Sequence, residues 1–203
     1  AKLLILPVYY MYDDITSRFK VDESDLFFNN VQLNDNIKVL NVRVSPTIVD
    51  PFAGLDPLSK GDSIIIPHPQ VAMKTIATLG GSPAQMYTTG SLSLSDGAYL
   101  KTKTGLKAEF NHSNAALLVE LGNEDSFYAR FLNIDEYNGF YDYTGYYTED
   151  NFTPLEYVEA IYLGDTHVGV IEPKVVEATW KNKNSMVNVL KPKYMIHGDA
   201  LDF

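Results

Sequence analysis

Two short motifs carry the residue types best suited to chemistry. Gly164-Asp165-Thr166-His167 contains an Asp-x-His, and Gly198-Asp199-Ala200-Leu201-Asp202 is a Gly-Asp-x-x-Asp. Two carboxylates and an imidazole make a hard-to-borderline ligand set that suits Mn²⁺, Fe or Zn²⁺. A glycine before each aspartate lets the backbone turn sharply beside an ion. Each motif alone has a plainer explanation, because an aspartate after a strand commonly caps a helix. Asp165, for example, is placed to cap the turn that leads towards Pro173. The two together, each following a strand and joined by one helical crossover, favour a shared site.

Those motifs need elements that bring them together. Residues 159–163 read as a short strand that runs into Gly164-Asp165. Pro173 can open a helix, and Val175, Val176, Thr179, Met186, Val187 and Leu190 recur at near-helical spacing until Pro192. Residues 194–196 read as a second short strand, ending at Gly198-Asp199. Strand, helix and strand form a βαβ unit, with parallel strands and a right-handed crossover. Ligands in open α/β sheets collect beyond the carboxyl ends of strands. Asp165, His167 and Asp199 are therefore expected to converge on one crevice.

The preceding region is rich in strand signals. Residues 38–44 (KVLNVRV) alternate with period two, and residues 63–66 form a β-branched run stopped by Pro67 and Pro69. Residues 115–121 and 126–132 read as a hairpin turning at 122–125. Residues 49–61 read as a structured loop, and the tyrosine-rich residues 136–147 as a surface loop with aromatic anchors. The fold class is α+β: a β-rich N-terminal domain over 1–154, then the beginning of an α/β domain over 155–203.

Composition limits the partners. The chain has 203 residues, 45% hydrophobic and 21% charged, which is enough apolar material for a packed core. Its formal net charge is −10, so a broad basic face for phosphate backbones is not expected. Metal ions held by carboxylates would still bring a phosphate in. The absence of cysteine excludes disulfides, thiolate zinc sites and a cysteine nucleophile. No apolar run approaches the ~20 residues of a membrane helix, and the run at residues 3–6 is too short for a secretory signal. A soluble, cytoplasmic protein is expected. The chain begins at Ala1 without a methionine, which fits processing or excision from something longer.

The pair GDTHVG…GDALDF resembles the first two motifs of the calcineurin-like metallophosphoesterases. The resemblance implies an α/β metallophosphoesterase sandwich, of which residues 155–203 would be the first βαβ unit. It also implies a dinuclear site with Asp165 and His167 on one ion and Asp199 bridging to a second, both divalent and preferably Mn, with Fe or Zn as alternatives. Asp202 would lie just outside, orienting a ligand or capping a turn. The stretches NVRVSPTIVDPFAGLDPLSKGDSIIIPHPQ and YTTGSLSLSDGAYLKTKTGLKAEFNHSNAALLVEL are similar to the N-terminal region of phage-encoded members. Those members are thought to be nucleases acting on host DNA during phage DNA transfer, which implies DNA as substrate and the host cytoplasm as location. The family's later histidine motifs do not follow Phe203, so this chain is expected to be an N-terminal or internal portion of a longer protein, inactive alone. A non-catalytic β-rich binding or assembly module, and a metallo-phosphomonoesterase, are the competing readings.

Other residues have weaker claims. Lys101, Lys103, Lys107 and His112 form either a phosphate-contact patch or, preferably, a solvated hairpin edge where lysines discourage strand pairing. His68, between two prolines, reads as a structural loop residue. The tyrosines of residues 137–147 suit base or sugar stacking, although loop anchoring and oligomer contact are better explanations. Trp180 reads as core, and Thr88-Thr89-Gly90 is too short for a phosphate nest. Gly122-Asn123-Glu124 lies in a hairpin turn and is rejected as a ligand motif. The N-terminal region is expected to restrict access or to mediate self-association into a homo-oligomer.

Overall fold

The computed structural model describes residues 28–78, 83–93, 102–167 and 169–199. Residues 3–6, Lys101, Ala200, Leu201, Asp202 and Phe203 lie outside them. The protein is mixed α+β with sheets dominating and few helices. By backbone contacts it divides into two compact units, Ala1–Asp135 and Glu136–Phe203. The sequence changes character near Leu155, but the division falls earlier. Leu155 N–H bonds Thr144 O at 3.2 Å and Val158 N–H bonds Leu190 O at 3.0 Å, which joins the tyrosine-rich segment to the strand–helix–strand region after it. Among the described residues, no helix is long and apolar enough to cross a membrane.

In the first unit β1 (Val31–Asn34), β2 (Ile37–Val39), β3 (Ser63–Ile65), β4 (Met73–Ile76) and β5 (Ala84–Tyr87) form one sheet in the order β1-β2-β3-β5-β4. The inner strands β2, β3 and β5 are parallel, and β1 and β4 are antiparallel edges. Ile64 pairs with Met86 and Ile65 with Tyr87, so the pleat sends successive residues to opposite faces. One face buries Leu40, Val44, Phe52, Ile64, Ile66 and Met86. Ile64, Ile66 and Met86 have no exposed surface, and burying each contributes about 1.5–3 kcal/mol.

The opposite face is covered by the hairpin β6 (Ala115–Leu121) and β7 (Phe127–Asn133). Leu117, Val119, Phe127, Ala129 and Phe131 pack on Ile37, Ile65 and Tyr87, as the register pairs Leu117 with Phe131 and Val119 with Ala129. The hairpin tip is fastened to the β1–β2 turn by amides. Asn34 Nδ2 donates to Ser126 O at 2.9 Å, and Asn36 Nδ2 to Asp125 O at 2.5 Å.

Three local expectations are corrected here. Of residues 38–44 only the first belong to a strand: β2 ends at Val39, the last bond to β3 runs from Leu40 N–H to Ile65 O at 2.9 Å, and Leu40 and Val44 stay buried. The Asn41 N–H bonds the Asn30 side chain at 2.9 Å instead of a neighbouring strand. The loop at residues 49–61 contains a short helix, α1 (Asp56–Ser59); Lys38 Nζ reaches its last carbonyl, Ser59 O, at 2.7 Å and Asp62 Oδ2 at 2.8 Å. Lys103 and Lys107 lie on a helix, α2 (Lys103–Phe110), and not on a hairpin edge. The Thr102 hydroxyl starts that helix by accepting from Gly105 N at 3.0 Å.

In the second unit β8 (Phe140–Asp142), β9 (Gly145–Tyr147) and β10 (Phe152–Pro154) form an antiparallel meander. Half of the tyrosine-rich segment, residues 140–142 and 145–147, is thus strand and not open loop. Cross-strand ring pairs hold it, and Gly145 makes room, since a Cβ there would collide with the Phe152 ring. β11 (Ala160–Leu163) and β12 (Tyr194–His197) are parallel, as expected. The helix predicted from Pro173 to Pro192 is broken into α3 (Pro173–Val176), a π-helical turn (Glu177–Lys181) and α4 (Met186–Leu190). Asn182 is extended at ψ 144°, and its side chain accepts from Asn184 N at 2.9 Å, offering the backbone a turn in place of a helix.

Two positions test the first unit. Gly90 has φ +70°, and a Cβ there would meet Ala115 Cβ at 2.7 Å and Ala115 O at 2.8 Å. Gly90→Ala is expected to cost about 2 kcal/mol or more in urea unfolding. His68 is 2% exposed; its Nδ1 accepts from Gln70 N at 3.2 Å, so Nε2 carries the proton towards Ser45 O at 3.1 Å. Burial holds its pKa below the usual 6.5 and outweighs the opposing pull of the Ser45 bond. The unfolded chain therefore takes up this proton first, so the contribution is complete above about pH 6.5 and is lost as pH falls through the lower folded value. His68→Gln should lose less unfolding free energy between pH 7.5 and 5 than the parent. An equal loss would show that His68 is not the titrating group.

Candidate metal centre

Parallel pairing decides what stands at the strand tips. Ala160, Ile161, Tyr162 and Leu163 face Tyr194, Met195, Ile196 and His197 in register. Gly198 N–H bonds Leu163 O at 3.0 Å, and Thr166 N–H bonds Asp199 O at 2.6 Å. The two strands therefore stay joined beyond their ends, and both Gly-Asp motifs emerge side by side at the carboxyl edge. Gly198 has a specific purpose there. A Cβ on it would lie 3.1 Å from the Tyr162 hydroxyl and 3.5 Å from Asp165 Oδ1, so glycine keeps open the space beside that carboxylate.

Asp165 and Asp199 are exposed and His167 is half-buried. His167 has φ +43°, a left-handed conformation that costs a non-glycine residue roughly 1–2 kcal/mol. Val170 N–H bonds His167 O at 3.0 Å and closes the turn behind it. The backbone thus brings the Asp165 and Asp199 positions together and places His167 two residues further, at the start of a strained turn. Among the described residues, no three His, Asp or Glu side chains are gathered closely enough to hold an ion. The donor chemistry and the room beside Asp165 suit a divalent cation; a complete three-residue coordination shell is not formed.

A second layer was not legible as a motif. Thr166 Oγ1 shares a hydrogen bond with His197 Nδ1 at 2.9 Å and lies 3.2 Å from Gly164 O. The His197 ring in turn stacks on Trp180, with centroids 6.4 Å apart and planes 7° from parallel. Trp180 is half-buried against this ring and is not a fully buried core residue. The only signal in the sequence is that His197 ends the strand whose partner ends two residues before Asp165. The remaining histidines lie in the first unit, where His112 Nε2 is buried without a hydrogen-bond partner.

The strands carrying the motifs are open to solvent. Every residue of β12 is exposed, with Tyr194 at 54% and Ile196 at 47%. Among the described residues, no hydrophobic side chain after Ala115 is buried. Parallel strands are normally covered on both faces.

No family model matches the chain, and no solved structure matches it. Protein A1 of Escherichia phage T5 is 26% identical over 200 residues, an alignment that covers 95% of this chain and 35% of that protein. The chain therefore spans about a third of the length of the curated relative it matches.

The link from the motif tips to Trp180 can be measured, since Trp180 is the single tryptophan. Thr166→Val should cost about 1 kcal/mol and shift Trp180 emission by releasing the His197 ring. Unchanged emission would show that Thr166 does not orient His197.

Proposed function

We propose that this chain supplies part of a metal-dependent phosphodiesterase, a nuclease that degrades DNA, whose dinuclear site uses Asp165, His167 and Asp199. The observation that carries this reading is the parallel register that delivers Gly164-Asp165 and Gly198-Asp199 to adjacent tips. It is supported by the motif resemblance to calcineurin-like metallophosphoesterases and by similarity to a phage protein along nearly the whole chain. The finer fold assignment, the opening βαβ unit of a metallophosphoesterase sandwich, belongs to the same proposal.

Asp165 and His167 would hold one ion, and Asp199, with two carboxylate oxygens, would reach two. Ions held there would supply Lewis-acid stabilisation of a phosphate, its leaving oxygen and an activated water. The chain's own residues have separate tasks. Gly198 leaves space beside Asp165 Oδ1, and the Thr166–Asp199 backbone bond holds the two tips at a fixed separation. The remaining ligands would come from further polypeptide covering β12 in a longer protein. Positive charge held at these tips would also offset the repulsion between DNA and a chain of net charge −10.

One observation favours the competing reading, a non-catalytic β-rich binding or assembly module: no three ligand side chains are gathered among the described residues. The two are separated by adding Mn²⁺ to the chain and following Trp180 emission, then assaying a longer protein that contains this chain on DNA and on a phosphomonoester. The nuclease reading expects a saturable emission change, removed by Asp165→Ala and by Asp199→Ala. It also expects Mn²⁺-dependent DNA cleavage that falls at least about 100-fold in both variants. Full cleavage by either variant rejects the ligand assignment, and cleavage confined to the phosphomonoester makes the protein a phosphatase.

A further inference from the structure

The meander β8–β10 shows an arrangement of rings that the metal-site reading does not use. On one face Phe140 stacks on Tyr147 (5.1 Å between centroids, 10° between planes), and Tyr147 continues to Phe152 at 4.7 Å. On the other face Tyr141 and Tyr146 lie 4.4 Å apart. Register explains the division, since Phe140, Tyr147 and Phe152 are directly opposed across three strands, as are Tyr141 and Tyr146. The ladder is far from buried: Phe152 is 46% exposed and Tyr141 is 59% exposed. Ring surface is thus exposed on both faces of the meander, at Phe152 on one and at Tyr141 on the other, and exposed aromatic surface marks a place for interaction.

Charge selects the partner. No lysine or arginine occurs between Arg130 and Lys174, while Glu149, Asp150 and Glu156 lie in or beside the meander. Platforms that stack single-stranded nucleic acid combine their rings with a cationic groove that follows the phosphates; this one carries only acids. Ring faces are negative and attract cations, guanidinium most of all. Carboxylates around the rings add to that attraction and repel phosphate. The same unit already contains one such contact, Lys193 Nζ at 5.3 Å from the Tyr194 ring centroid.

We propose that the aromatic meander β8–β10 is a docking surface for an arginine- and lysine-rich polypeptide segment, with guanidinium groups lying on the exposed rings and paired with the flanking carboxylates. This surface is independent of the metal-site reading and does not require it.

The test is fluorescence anisotropy of a fluorescein-labelled nona-arginine peptide with the full chain at moderate salt. Tyr141→Leu and Phe152→Leu keep apolar bulk but remove the ring, and each should weaken binding about threefold or more. The pair Glu149→Gln and Asp150→Asn should weaken it about tenfold. The charge-matched pair Asp35→Asn and Glu124→Gln, at the β1–β2 turn and the hairpin tip, should change it less than twofold. Hydrogen exchange provides a readout that needs no variant, since added peptide should protect residues 140–154. Equal losses from both charge pairs would mean attraction by net charge alone and would overturn the proposal. Unchanged binding in both ring variants would overturn it too, as would absent protection or tighter binding of oligo(dT) or a mannan hexasaccharide.

Discussion

Parallel strands cannot be joined by a tight turn; their connection must cross from the end of one strand back to the start of the next. In this protein the connection is the broken helical segment between β11 and β12, and the resulting ladder runs from Ala160–Tyr194 to Leu163–His197. This ladder brings residues 165 and 199 into one neighbourhood. A slip of one residue would turn each side chain to the opposite face and separate the two Gly-Asp pairs. The bond from Thr166 N–H to Asp199 O is the last element of this alignment.

The two units solve burial differently. In the first, a mixed sheet is covered on one face by the chain that includes Leu40, Val44 and Phe52 and on the other by the β6–β7 hairpin, so alternating residues of one strand serve two cores. Polar side chains then fasten this sandwich: Lys38 ties β2 to the end of α1, and the amides of Asn34 and Asn36 hold the hairpin tip. In the second, aromatic pairs across short strands take the place of a buried core, and β12 stays uncovered. Aromatic side chains suit that situation because stacking and polar hydroxyls let them stabilise strands while still meeting water.

Acidity has different consequences in the two regions of the second unit. At the strand tips, the proposed metal site would use carboxylates as ligands, and bound cations would cancel their charge. Around the meander, the same residue types stand beside aromatic rings, in a stretch of sequence from 131 to 173 that contains no lysine or arginine. On both proposals a chain of net charge −10 would discriminate among partners by the sign and size of the charge they present.

Much of the framework was legible in residue order. The apolar run AALLVEL, the turn at residues 122–125 and the run that follows located the β6–β7 hairpin, prolines 67 and 69 marked the end of β3, and glycine-aspartate pairs marked the ends of β11 and β12. Period-two patterns and prolines act locally, so a sequence shows them directly. Pairing partners are not local. The side-chain bond that stops the ladder at Asn41, the Asn182 turn that breaks the crossover helix, and the ring-on-ring packing that makes strands of a tyrosine-rich segment each depend on a neighbour's geometry. For the candidate site, the sequence by itself determined which donor types exist and that they follow strands. The strand–helix–strand order already pointed to a shared edge for Asp165 and Asp199; tertiary structure alone decided that His167 begins a strained turn and that His197 is held between Thr166 and Trp180, because only a closed ladder sets distances between residues far apart in the chain.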